Sequence, residues 1–225
     1  MADLRKKCKR CNAKFVYFNS EYCLECIDII RKEKLVKSMQ NNPEKYMYGF
    51  PKRFKKWDIE HILPKFKEIV TEHTKSQGLF ITGQTGSGKT CLMCVLSKEM
   101  AKIGREIWFK NVSDLLFEIK GTFDKKGGIF NDYEMITNWA KKPFLVLDDI
   151  GSEKVSEYVR QSLYVLINKR YLDELPTFIT SNFTLDQIAG KLDDRISSRI
   201  AEMCNVIDLG NEDLRLANKL GVKND

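Results

Sequence analysis

The sequence predicts an α/β fold in which a parallel central sheet is flanked by helices, behind a small cysteine-bearing N-terminal segment. Three observations predict it. Gly83-Gln84-Thr85-Gly86-Ser87-Gly88-Lys89-Thr90 matches the phosphate-loop pattern G-x-x-x-x-G-K-[ST] at every fixed position, between an apolar strand and a helix. Phe144-Leu145-Val146-Leu147 is a strand apolar on both faces, as a sheet covered by helices on each side requires, and it ends in Asp148-Asp149. Cys8-x-x-Cys11 and Cys23-x-x-Cys26 stand eleven residues apart.

The chain has 225 residues, enough for one large domain and a small appendage. Its 43% hydrophobic and 31% charged content is that of a folded soluble protein. No apolar run is long enough to span a membrane, and none follows Arg5-Lys6-Lys7, so neither a membrane partner nor a signal peptide is expected and a cytoplasmic location is. The net charge of +7 is unevenly placed. Residues 1–56 carry 15 Lys/Arg against 6 Asp/Glu, and the rest of the chain is slightly acidic. A basic quarter of this kind suits an acidic partner, nucleic acid or an acidic protein face, or is simply a solvated tail.

In chain order, the two Cys-x-x-Cys pairs can set four thiolates, Cys8, Cys11, Cys23 and Cys26, tetrahedrally around one Zn²⁺. Phe15, Val16, Tyr17, Phe18 and Tyr22 lie between them, as the short hairpin of a zinc ribbon requires. Such a segment is too small to bury a core of its own, so the metal supplies much of its stability. Four cysteines leave no open position, which makes the zinc structural. Disulfides are the rival reading and conflict with a cytoplasmic nucleotide-binding protein. Cys91 and Cys94 have the same spacing but fall in the helix after the phosphate loop; with Cys204 they read as packed free thiols.

Ile27–Gln40 reads as a basic helix ended by Asn41-Asn42-Pro43, and Gly49–Phe54 as extended chain leading into the next domain. The expected boundary is at residue 45: residues 1–45 form the zinc segment and connector, residues 46–225 the main domain. Asp58 can cap a helix carrying Ile59, Ile62, Leu63, Phe66, Ile69 and Val70, with its continuity past Pro64 left open. Strands are expected at Leu79–Thr82, Glu106–Phe109, Phe144–Leu147, Thr177–Thr180 and Val206–Leu209. Helices are expected over Cys91–Ile103, Val112–Lys120 and Glu153–Asp173, and from Leu185. Gly121–Asn131, with Lys125-Lys126-Gly127-Gly128, reads as a loop.

The chemistry follows from the residue types. A glycine-rich turn lets backbone N–H groups close around phosphate oxygens, and the helix N-terminus behind it adds partial positive charge. Lys89 is placed to reach the β- and γ-phosphates of a bound nucleotide, and the Thr90 hydroxyl to ligate Mg²⁺. Asp148, at the carboxyl end of a central strand, is the expected Mg²⁺ carboxylate, and Asp149 the group that orients the attacking water. Asn182, at the end of Thr177–Thr180, is expected beside the γ-phosphate because parallel neighbours end at one rim. Arg195 and Arg199 are four apart on one helix face.

The phosphate loop, Phe144–Gly151, Ile179-Thr180-Ser181-Asn182 and Asp194-Arg195-Ile196-Ser197-Ser198-Arg199 together resemble the AAA+ ATPases, P-loop NTPases, specifically the DnaC/IstB-like helicase-loader group. Gly49–Phe54 resembles the lead-in to that domain, and the cysteine segment is similar to that of primosomal loaders of the DnaI type. The resemblance implies that Asp148 and Asp149 form the Walker B pair, with Asp149 where the group often has Glu, one methylene longer. It implies that Asn182 is sensor 1, that Arg199 is an arginine finger offered to a neighbouring subunit, and that Arg195 is its helper. Such proteins load a replicative helicase and bind single-stranded DNA through helices after the second strand, which points to Lys120, Lys125 and Lys126. A finger acting in trans implies a head-to-tail homo-oligomer, a ring or spiral. Only 26 residues follow Arg199, too few for a separate lid domain, with Arg215 a candidate lid arginine. The expected function is an ATP-hydrolysing helicase loader. The alternatives are an IstB-like helper of DNA transposition and, more remotely, a small-molecule kinase, which would have no use for Arg199 in trans.

Overall fold

The computed structural model describes residues 6–16, 20–121 and 129–214. Lys6–Lys7 (β1) and Lys14–Phe15 (β2) pair as an antiparallel hairpin whose tip carries Cys8 and Cys11. Helix α1 (Leu24–Asn41) follows, with Cys23 at its N-cap and Cys26 in its first turn. It starts three residues before the expected Ile27, inside the second cysteine pair.

Six parallel strands then build the sheet: β3 (Met47–Tyr48), β4 (Gly78–Thr82), β5 (Ile107–Asn111), β6 (Leu145–Ile150), β7 (Thr177–Ser181) and β8 (Asn205–Asp208), in the order β3-β5-β6-β7-β4-β8. Side chains alternate across it. Leu79, Ile81, Phe109, Val146 and Phe178 pack against α3 (Pro64–His73) and α4 (Lys89–Lys102). Phe80, Leu145, Leu147 and Ile179 pack on the opposite face. That face is covered by α5 (Val112–Gly121), α6 (Ile129–Ala140), α7 (Glu157–Leu172), α8 (Leu185–Lys191) and α9 (Asp194–Met203). A sheet buried on both faces explains the unbroken apolar strands of the sequence.

Four expectations need correcting. Gly49–Phe54 is not extended throughout: Lys52–Lys55 (α2) makes one helical turn. The helix expected from Asp58 to Val70 is split by Pro64, which lacks an N–H and therefore starts α3 at its first position. Asp58 caps only the short 3₁₀ turn Ile59–His61 before it. The region read as a loop to Asn131 gives way to α6 at Ile129, where Ile136 and Ala140 are buried. The helix expected from Glu153 starts at Glu157, because the Ser156 hydroxyl accepts from Val159 N at 3.3 Å and caps it there. Lys125 and Lys126 lie outside the described residues, as does Arg215.

Two buried cations tie the architecture together. Arg170, fully buried, donates to the carbonyls of Ala140 and Lys142 at 2.7 Å, to Pro176 O, and to Thr177 Oγ1 at 2.8 Å, locking α6 and the start of β7 to α7. Lys98 on α4 meets Glu44 at 3.1 Å, Asp58 at 3.0 Å and Lys55 O at 2.6 Å, fastening the connector to the sheet domain. Among the described residues no helix is long and apolar enough to cross a membrane.

Candidate functional site

Strand order decides how the site is assembled. The phosphate loop leaves the carboxyl end of β4, the acidic pair lies near the carboxyl end of β6, and β7 lies between them. Asn182, just past β7, therefore stands between loop and acids. Its Oδ1 accepts from Lys89 Nζ at 2.8 Å and its Nδ2 donates to Asp149 Oδ1 at 2.6 Å. One amide thus links the lysine to the carboxylate.

The loop turns on glycines. Gly86 and Gly88 have φ of +90° and +94°, the left-handed region that L residues rarely adopt. Gly88 is also the N-cap of α4, so the helix dipole opens directly onto the loop. Lys89, 7% exposed, folds back to donate to Gly83 O at 2.7 Å and Gln84 O at 2.9 Å. Ser87 Oγ is buried with no hydrogen-bond partner among the described residues, and a Cβ on Gly83 would come within 3.0 Å of it. An unsatisfied hydroxyl inside a glycine cradle fits a phosphate oxygen.

Thr90 and Asp148 meet across the gap between α4 and β6: Thr90 Oγ1 donates to the Asp148 carboxylate at 3.0 Å. Thr180 Oγ1 donates to the same oxygen at 2.8 Å and accepts from Asp149 N at 2.9 Å. Burial pushes the Asp148 carboxyl above its ordinary value, and the two threonine hydroxyls oppose that. A buried carboxylate beside a helix-N-terminal hydroxyl fits Mg²⁺, whose charge would offset the desolvation. Asp149 has φ +64° where the β6–β7 register slips, so a bulge turns its carboxylate toward Asn182.

At the other end of the chain, the Cys8, Cys11, Cys23 and Cys26 sulfurs all lie within 4.8 Å of one another. Every cysteine is a free thiol, and Cys11 and Cys23 sulfurs are 3.7 Å apart, beyond bonding distance. Burial pushes the Cys8 thiol up, but N–H groups of Cys11, Cys23 and Arg10 outweigh it and bring it down to about 6. The donor set fits one zinc. Cys91, Cys94 and Cys204 stay apart from it; burial raises them to about 11, 12 and 12, as packed protonated thiols.

A family model described as "IstB-like ATP binding protein" matches residues 53–221, three-quarters of the chain. The chain belongs to the IstB-like ATP-binding family. It is 30% identical over 125 residues to "Replicative helicase loader DnaI" of Bacillus subtilis, covering 55% of this chain and 39% of that one. It is 24% identical over 139 residues to "Replicative helicase loader DnaC" of Escherichia coli, covering 61% and 56%. The chain thus spans about half the length, or less, of these relatives. In three dimensions it is similar to the crystal structure of the DnaC helicase loader, with a TM-score of 0.59 and 26% identity, covering 70% of this chain and 99% of that one.

In this IstB-like chain the two arginines stand apart from the loop. Arg195 pairs with Asp193 through two bonds of 2.9 Å. Arg199 donates to Asn168 Oδ1 at 2.7 Å and Arg195 O at 3.1 Å. Neither bonds to Lys89, Asp148, Asp149 or Asn182. Lys120 is exposed near the end of α5.

Two sets of residues escaped sequence reasoning. Thr180 joins both aspartates; a hydroxyl beside an acidic strand end was its only signal. Residues 209–214 run along the loop: Gln84 N donates to Gly210 O at 3.0 Å and Leu214 N to Gly86 O at 3.1 Å. The Asp213 carboxylate lies against Gly86, 2.1 Å from where a Cβ would stand, while the φ of +90° is what calls for glycine there. Beside the site a cavity of about 600 Å³ runs from Thr90 and Asp148 to Gly49, Pro51, Asn111 and Trp139, placing the domain's lead-in on its wall.

Proposed function

We propose that this protein is an ATP-dependent loader of a replicative helicase. The observation that carries the reading is the linked set Lys89–Asn182–Asp149 beside Thr90–Asp148, in a chain of the IstB-like ATP-binding family. ATP sits with its phosphates in Gly83–Thr90. Lys89 stabilises the γ-phosphate. Mg²⁺, held by Thr90 and Asp148, would supply charge neutralisation at the phosphates. Asp149 accepts a hydrogen bond from the attacking water, and Asn182 holds that carboxylate in line with Lys89. Arg199 of a neighbouring copy, helped by Arg195, neutralises charge developing on the γ-phosphate, so active sites form between subunits of a ring or spiral. The zinc segment, residues 1–45, carries the helicase, and single-stranded DNA binds near Lys120, Lys125 and Lys126. The relatives named as loaders support the helicase as partner.

ATP turnover with single-stranded DNA and the host helicase is the test. Lys89→Ala is expected to abolish turnover, and Asp149→Asn to keep ATP binding while losing hydrolysis. Equal turnover by wild type and Lys89→Ala would refute the assignment. The family's name favours a second reading, an IstB-like helper of transposition. ATP-dependent binding to double-stranded DNA in preference to single-stranded DNA, without helicase capture, would support that one instead.

A further inference from the structure

Two polar stripes of equal spacing face each other between α7 and α9. On α7 they are Tyr164, Asn168 and Tyr171; on α9 they are Arg195, Arg199 and Glu202. Steps of four and three residues put each set on one helix face. The Tyr164 ring lies under both guanidiniums, 4.4 Å from Arg195 and 5.0 Å from Arg199, and its hydroxyl accepts from Arg199 at 3.3 Å. Asn168 and Tyr171 complete the seat of Arg199, and Tyr171 donates to Glu202 at 2.9 Å.

The two charges are treated differently. Asp193 neutralises Arg195. Arg199 bonds to an amide, a phenol and a backbone carbonyl, and no carboxylate lies within ion-pair distance of it among the described residues. Its charge is oriented but not cancelled, which suits a group meant for an external anion. Like charges four apart on a helix repel, and free arginine side chains lose much entropy when fixed. An aromatic face shared by both offsets the repulsion and fixes their direction in advance. Tyr164 is itself anchored, because Leu163, Leu166 and Ile167 beside it are core residues.

We propose that Tyr164 is the positioning residue of the arginine pair, holding Arg199 in the direction needed to reach phosphates bound by a neighbouring copy. This rests on the trans-acting reading of Arg199. Full-length variants mixed with single-stranded DNA, with assembly verified, test it. Tyr164→Leu alone is expected to lose at least about tenfold in kcat while KM for ATP stays unchanged, since misplacing a reacting group by an ångström is that costly. Mixed one to one with Lys89→Ala, it should recover to about a quarter of wild-type activity. One interface in four then joins an intact loop to an intact Tyr164–Arg199 pair in a head-to-tail assembly. Mixed with Arg199→Ala it should recover nothing, because neither partner brings a usable finger. Tyr164→Phe keeps the ring and should keep most of the activity. Recovery with Arg199→Ala, failure with Lys89→Ala, or a Tyr164→Phe protein as inactive as Tyr164→Leu overturns the role of Tyr164, provided the control mixture of Lys89→Ala with Arg199→Ala recovers. If that control fails, the trans reading falls and takes this inference with it.

Discussion

The cysteine segment and the sheet domain are held together by opposite means. The sheet domain buries aliphatic and aromatic side chains on both faces of six strands, and even its charged core residues, Arg170 and Lys98, are satisfied by carbonyls or carboxylates. Among the described residues of the cysteine segment, the buried apolar cluster is Cys8, Cys23 and Cys26 with Phe15 and Tyr22 against it, and Val16 and Leu24 are 57% and 64% exposed. One region folds on apolar area; the other has four sulfur atoms in place of a core. The contrast shows why the first can host a precise site, while the second offers four converging thiols that fit an ion, which would give it shape.

Metal removal breaks the comparison most directly. A chelator is expected to unfold the β1–β2 hairpin and the first turn of α1, since metal binding is on the order of 10 kcal/mol in small four-ligand sites. The sheet domain's Tm should hardly move. Amide hydrogen exchange before and after chelation reads both regions at once, and a joint collapse would show that they are one cooperative unit. Arg170→Met comes next. It strands the carbonyls of Ala140, Lys142 and Pro176 in the core and should destabilise the sheet domain by about 3 kcal/mol, leaving metal content unchanged. Denaturant melts with metal analysis check it.

Lys98→Met probes the tie between the regions. Glu44 and Asp58 are half-exposed and regain water, so a loss of about 1–2 kcal/mol is expected, with faster exchange along α1 and an intact sheet. Asp148→Asn has the smallest effect and the opposite sign. Burial raises the Asp148 carboxyl, so the folded state takes up a proton before the unfolded chain does. Its cost to stability is therefore absent at pH below the ordinary carboxylate value and grows as pH rises through the raised one. Removing the charge should raise the metal-free Tm at neutral pH by about 2–4 °C, roughly 1 kcal/mol, and flatten that slope. Loss of nucleotide turnover is the expected companion.

The parts of the site written as contiguous motifs were legible in advance. Gly83–Thr90 needs glycine at fixed positions, and a strand apolar on both faces ending in Asp148-Asp149 admits few environments. The sulfurs of two Cys-x-x-Cys pairs converge as that spacing predicts. What escaped was set by partners far off in sequence. Met47–Tyr48 is a two-residue strand, too short for any periodicity, and exists because Ile107 and Trp108 pair with it. Residues 129–131 read as the end of a loop because a lysine–glycine run precedes them, yet burial of Ile136 and Ala140 against the sheet makes them the start of a helix. Tyr164 and Asn168 lie on the polar side of a helix whose sequence signal is its apolar face, and their roles depend on Arg199, 35 and 31 residues away in sequence. Arg170 reads as a surface charge until three carbonyls are found around it.

The position of β4 also governs when the protein becomes competent during its own synthesis. Phe80 pairs with Ile179 on one side and Val206 on the other, so the strand that carries the phosphate loop is flanked by two strands that are both made well after it. The Thr82 carbonyl at the loop's base takes its backbone hydrogen bond from Leu209. Nothing local can stand in for these pairings, and long-range parallel strands close slowly. A ribosome must therefore release residues through Leu209 before the loop is shaped, and until then the apolar strand Gly78–Thr82 is exposed to aggregation or to chaperones.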